Sequence, residues 1–288
     1  MLFRSNYQKG IFLGTKASEL SEKTDYSEIQ AQAYYEIAVS YVAIADYERA
    51  LPLLEKTALL ASGLDMRGLE ANAYEKIGTI YRKLDNLQKA LEYQKKAFGF
   101  YERIVEALKG PEVSPTQEKK RAKRKLKETR FVRNFIEIAL SLGNTYTEMN
   151  DYESAIEFLD KALFYSSDIK DKLLKSYLGM GEFHFKKGDY SKALEYHKKA
   201  CELSNDLDIP SLTAAAYAKT ARDYQRLRRL DDAVEHYKKA ITAIEDQRSM
   251  LQSEEMRSSF FEQMTKTYDG IISALISLRK TEEAFNFS

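Results

Sequence analysis

With 288 residues, 44% of them hydrophobic, the chain has material for a large buried core. Only 12 glycines and 4 prolines occur against 31% charged residues, a mixture that suits long helices and poorly suits a turn-rich sheet protein. The net charge of +1 argues against binding nucleic acid or membrane by bulk electrostatics, and the single cysteine, Cys201, excludes an internal disulfide and fits a reducing, cytoplasmic compartment.

The start, residues 1–5, is not a signal peptide, because no apolar stretch follows it. Met1-Leu2-Phe3-Arg4-Ser5 resembles the translation of a common sequencing-library adapter, and it is read as a non-native or disordered start. No later apolar run approaches the roughly 18 residues that span a bilayer.

A repeat then runs along the chain. Ala50, Ala90, Ala155, Ala193, Ala233 and Ala284 mark one position in successive copies, at intervals of 40, 65, 38, 40 and 51 residues. A period near 40 signals an array of identical supersecondary units. Twelve residues before the first five alanines sits a small residue: Ala38, Gly78, Gly143, Gly181 or Ala221. Nine before sits a ring: Tyr41, Tyr81, Tyr146, His184 or Tyr224. Seven after sits Thr57, Ala97, Ala162, Ala200 or Ala240. Four before sits Asp46, Asn86, Asp151 or Asp189, each able to cap a helix; Arg229 breaks the rule, with Asp231 expected to cap instead. Each copy therefore reads as helix A, a short turn and helix B, with small residues that allow close approach and rings that fill the space between copies.

The pattern of Gly/Ala–x2–Tyr in helix A and Ala–x6–Ala in helix B resembles the tetratricopeptide repeat (TPR) family, in its long-repeat branch. The resemblance implies an all-α, right-handed superhelical solenoid of helical hairpins. Residues 6–25 give a partial repeat, with Gly10 and Ala17 of Tyr7–Leu20 in the small positions of a helix B. Residues 26–109 give repeats one and two, and residues 131–252 repeats three to five. Residues 253–288 give a partial sixth hairpin. An array that begins and ends mid-repeat is expected to be a fragment of a longer chain.

Two places break the period. Residues 110–130 hold a Pro-containing loop, Gly110-Pro-Glu-Val-Ser-Pro115, and then a basic run. Between Gln117 and Arg130 stand eight Lys/Arg and two Glu, a net +6. Lys119, Lys120, Arg121, Lys123, Arg124, Lys125 and Lys127 read as a solvated helix extension, a docking segment for an acidic partner, or a nucleic-acid contact. No aromatic is interleaved to stack on a base, which disfavours the last. The second break adds residues before the sixth hairpin, close to three helical turns, so a lengthened helix keeps its packing face. Here Arg257 to Phe285 resembles the last hairpin before the CHAT domain of TPR–CHAT proteins, a caspase-like peptidase domain with a Cys–His dyad. No residue of this chain matches that dyad.

No catalytic constellation, glycine-rich phosphate loop or cofactor motif stands out, and no enzyme activity is expected. His197 and Cys201 are four apart on one helix, but a metal site needs three or four ligands, and packed side chains are the expected reading. In the TPR family helix A lines the concave wall. That wall would here include Tyr35, Lys76, Arg82, Asn144, Lys175, Lys186, Lys219, Arg222, Gln225 and Arg226. Lys219, Arg222, Arg226 and Arg229 follow spacings of three and four and form a basic stripe, suited to a carboxylate or acidic peptide. Only Asn144 fits the asparagine position of the family's carboxylate clamp. The resemblance implies a non-enzymatic protein–protein interaction scaffold that holds a peptide or partner segment in a concave groove, with no membrane partner. The alternatives are the regulatory arm of a CHAT protease and nucleic-acid contact through the basic insertion.

Overall fold

The computed structural model describes residues 2–24, 26–109, 130–207, 209–250 and 257–287. The Pro-containing loop and the basic residues Lys119 to Lys127 lie outside the described residues. Thirteen helices form among those described. They are α1 (Leu2–Thr24), α2 (Ser27–Ala43), α3 (Tyr47–Gly63), α4 (Arg67–Lys83), α5 (Leu87–Lys109), α6 (Arg130–Glu148) and α7 (Tyr152–Ser166). Then follow α8 (Lys170–Lys186), α9 (Tyr190–Ser204), α10 (Pro210–Arg226), α11 (Leu230–Met250), α12 (Arg257–Ser277) and α13 (Thr281–Phe285). No strand occurs among the described residues.

The described residues divide into two compact units, one up to Thr145 and one from Tyr146 onward. In the first, α1 packs on α2, α2 on α3, α3 on α4 and α4 on α5, and the helices A of neighbouring hairpins, α2 and α4, also touch. In the second, α7 to α13 pack in the same sequential way, and α8 touches α10 as α10 touches α12. The extra residues before the sixth hairpin do not lengthen one helix alone: α11 and α12 have 21 residues each, against 15 in α9 and 17 in α10.

Every turn from helix A to helix B is built the same way. Ala45, Asp85, Asn150, Gly188, Arg228 and Arg279, each five residues before its marker alanine, have φ between 58° and 86°. The next N–H closes the turn on the helix A ring position: Asp46 to Tyr41 O at 2.9 Å, Asn86 to Tyr81 O at 2.8 Å, Asp189 to His184 O at 2.9 Å. A second bond runs from the left-handed residue three back, as from Gly188 to Phe185 O at 3.0 Å. This pair of bonds satisfies carbonyls that a helix end leaves orphaned. The residue after the turn then caps helix B. Asp46, Asn86, Asp151 and Asp189 accept from the N–H of Arg49, Lys89, Ser154 and Lys192 at 3.1–3.2 Å. The expected Asp231 cap is not made. Asp231 pairs with Lys280 at 3.1 Å, and Arg229 reaches Asp232 at 2.9 Å.

The marker alanines Ala50, Ala90, Ala155, Ala193 and Ala233 are fully buried, as are Ala38, Ala221, Ala97, Ala162, Ala200 and Ala240. The glycines have a steric reason. A Cβ on Gly78 would come within 2.8 Å of Gln94 Cγ, and one on Gly181 within 2.3 Å of the His197 ring. The side chain four residues after the marker alanine thus lies flat on helix A. One residue earlier, a second ring meets the ring of helix A. Tyr81 stacks on Tyr93 at 5.8 Å, Tyr146 on Phe158 at 5.6 Å and His184 on Tyr196 at 5.5 Å, while Tyr224 tilts on His236 at 4.9 Å. A lysine six after the marker covers three of these pairs, Lys96 over Tyr93, Lys161 over Phe158 and Lys199 over Tyr196, and in the fifth repeat Lys239 lies over Tyr217, which tilts on His236. A Glu four residues back anchors it, as in Glu92–Lys96 at 2.7 Å. These surface ion pairs are screened by water, so the rings, worth about 0.5–1.5 kcal/mol per pair beyond their burial, carry the hairpin.

Candidate functional site

In the first compact unit, helices A bring polar side chains together at two points. Tyr101, buried at the middle of α5, donates to Asn72 Oδ1 on α4, and Asn134 on α6 donates to the Tyr101 hydroxyl at 3.0 Å. Beside them Tyr35 of α2 is half-buried, and burial pushes its hydroxyl up to about 12. Lys76 pairs with Glu75 at 2.9 Å. Burial works against its charge, but Glu75 outweighs that and holds the ammonium above its usual range. Arg82 is half-buried in the last turn of α4, and Asn144 is half-buried on α6. Sequence reasoning missed Asn72, Tyr101 and Asn134. Their partners are 29 and 33 residues apart, and nothing local marks them.

In the second unit, Lys175 is half-buried on α8, and Lys186 is exposed at its end. Lys219, Arg222, Gln225 and Arg226 lie along α10. Part of this basic stripe is already paired within the chain. Glu182 of α8 accepts from Lys219, from Arg222 Nη2 at 2.8 Å and from Arg222 Nη1 at 3.4 Å. Burial alone would raise the Glu182 carboxyl, but the two cations outweigh it and hold it far below the carboxylate range. The Arg222 guanidinium lies 3.5 Å above the Phe185 ring, and that of Arg226 lies 5.8 Å from it. Gln225 donates to Ser273 at 3.1 Å and accepts from Tyr237 at 3.1 Å. Arg229 leaves the stripe to sit over Tyr224. Arg226 is exposed and has no carboxylate partner among the described residues. A signal was available: Glu182 and Arg222 hold the same repeat position, eleven before Ala193 and Ala233, with opposite charge.

Beneath this cluster His197 Nδ1 meets Asp223 Oδ2 at 2.5 Å, both side chains fully buried. Burial lowers the His197 value and raises that of Asp223. Cys201 lies against the Thr220 hydroxyl at 3.2 Å, and burial pushes its thiol up to about 11. His197 and Cys201 thus point to two different partners on α10. Among the described residues no three His, Cys, Asp or Glu side chains converge as metal ligands, and no helix is long and apolar enough to cross a membrane.

The tetratricopeptide repeat profile matches residues 30–103 and 172–246, and a second tetratricopeptide repeat profile matches residues 136–166. The chain belongs to the tetratricopeptide repeat family. Its fold is an all-α array of TPR hairpins. No curated protein matches it. Among solved structures, BtubC (BKLC) from P. vanneervenii has a TM-score of 0.62 at 14% identity, over 84% of this chain and 92% of that one. A Rap protein complexed with competence and sporulation factor has a TM-score of 0.63 at 15% identity, over 90% and 73%. NprR in complex with its cognate peptide NprX has a TM-score of 0.59 at 18% identity, over 97% and 71%. At these identities the likeness shows the fold of the TPR array.

Proposed function

We propose that this TPR array is a non-enzymatic interaction scaffold that binds a peptide or partner segment along its helices A, with acidic side chains among those it recognises. The observation that supports this most is the surface shared by α8 and α10. An aromatic ring, Phe185, carries two guanidiniums, and the exposed Arg226 is left without an internal carboxylate. Aromatic faces and arginine forks recur where proteins anchor partners, since each offers area or bidentate bonding at fixed geometry. In the first unit the half-buried Asn72 and Asn134, held in place by the buried Tyr101 hydroxyl between them, offer amide groups of the kind that bond a peptide main chain. Tyr35, Lys76, Arg82 and Asn144 in the first unit, and Lys175, Lys186, Lys219 and Gln225 in the second, belong to the proposal as flanking contacts within their own unit. The NprR structure, complexed with its cognate peptide, gives a fold-level precedent.

The test is selection of a displayed random peptide library on the whole chain, followed by calorimetric titration of the recovered peptides. Arg226→Glu should weaken acidic binders by at least about tenfold, the order of one charge-assisted bond, and leave the melting temperature unchanged. Arg222 is unsuited to that role, because its removal strands Glu182 as well. A library that yields no binder, or binders indifferent to Arg226→Glu, overturns the reading.

A further inference from the structure

The cations of α10 already hold a carboxylate. Glu182 takes both Nη atoms of Arg222 and the ammonium of Lys219, and it stands at the repeat position on α8 that Arg222 holds on α10. The site is still not saturated. Arg222 Nε is buried and has no acceptor, although its guanidinium is clamped against Phe185. Two cations face one carboxylate, and Arg226 brings a third positive charge to the same ring. Glu182 is also within reach of solvent, its side chain 23% exposed, so it can swing out without unfolding either helix.

We propose that Glu182 is a built-in occupant of an anion subsite formed by Lys219, Arg222 and Arg226 on the face of Phe185, and that a carboxylate of a bound segment enters by exchanging with it. This rests on the peptide recognition proposed above and adds a rule to it. Binding at this point is an exchange, so the internal carboxylate sets a threshold that a neutral or weakly acidic segment does not cross. The incoming group gains the fork of Arg222 and the unused charge of Arg226. Glu182 returns to water, where a carboxylate is well solvated.

Fluorescence anisotropy on the full chain tests this with three fluorescein-labelled peptides. One has acidic side chains and an amidated end, one has neutral side chains and a free C-terminal carboxylate, and one is neutral and amidated. Glu182→Gln keeps the size of the side chain and removes its charge. It should bind one of the two carboxylate peptides about tenfold tighter than the natural chain does, and the neutral amidated peptide equally. The arm that gains shows whether the carboxylate is a side chain or a chain end. Adding Arg222→Gln to Glu182→Gln should abolish the gain. If Glu182→Gln loses helicity, Glu182→Asp, which shortens the reach and keeps the charge, should show a smaller gain of the same sign. Equal or weaker binding of both carboxylate peptides by a folded variant overturns the exchange. A chain that yields library binders but is indifferent to Glu182 loses the exchange alone. A chain that yields none loses peptide recognition with it.

Discussion

The buried pair between α9 and α10 offers the sharpest test of the packing. His197 and Asp223 hold the positions four after and ten before their marker alanines. In the first two repeats the same positions hold Leu54 and Ile80, both fully buried. In the next junction they hold Gln94 and Thr145, hydrogen-bonded at 3.0 Å. The array therefore carries its own apolar control. His197→Leu leaves the Asp223 carboxylate, 0% exposed, without its partner, and breaking a buried pair in this way costs about 3–5 kcal/mol. Asp223→Ile leaves a neutral imidazole short of an acceptor, a loss of about 1–3 kcal/mol. The double variant His197→Leu/Asp223→Ile restores the apolar junction of the first repeats. Replacing both members of a buried polar pair by apolar side chains leaves no polar group unsatisfied and is neutral or stabilising, so the double variant should be at least as stable as the natural chain. The assay is urea unfolding followed by far-ultraviolet circular dichroism. It is joined to hydrogen exchange of the α9 and α10 amides, because a repeat array need not unfold in one step. A cost below about 1 kcal/mol for His197→Leu, or a double variant no more stable than the worse single one, would refute the assignment of this pair as a mutually dependent buried joint.

Two further outcomes follow from the local geometry. Arg228 has φ of 61° and is exposed, so Arg228→Gly relieves a left-handed strain of about 1–2 kcal/mol and adds back about 0.4–1 kcal/mol of unfolded-chain entropy. The net should be stabilising by roughly 0.5–1 kcal/mol in urea, and Gly188→Ala should shift the midpoint the other way; the same sign for both would show that the turn does not depend on this residue. The Cys201 thiol, raised to about 11 by burial, is only about one part in a thousand thiolate at pH 8. Iodoacetamide should therefore leave the folded chain unlabelled by intact mass and label it in urea, and fast labelling of the folded chain would contradict its placement against Thr220.

What the residues alone determined is the hairpin. Alanine, glycine, ring and cap positions recur because each is constrained within one helix pair, by contact distance in Gly78 and Gly181 or by an N-terminal N–H in Asp46, Asn86, Asp151 and Asp189. Such constraints act on residue type and repeat with the period, so they can be read off the chain. The left-handed turn residue was not legible, since Ala45, Asp85, Asn150, Gly188, Arg228 and Arg279 share no chemistry. Backbone hydrogen bonds hold that conformation whichever side chain stands there. The candidate site was half legible. The cations of α10 lie on one face by spacing alone, but their partner Glu182 is 37 and 40 residues away, and Asp223 is 26 from His197. Only the packing of one hairpin on the next decides which charges meet. That packing turned the basic stripe into a clamped Arg222, a paired Lys219, an Arg229 drawn to Asp232 and an exposed Arg226 with no carboxylate partner among the described residues, because α8 presents Glu182 where α10 presents its cations.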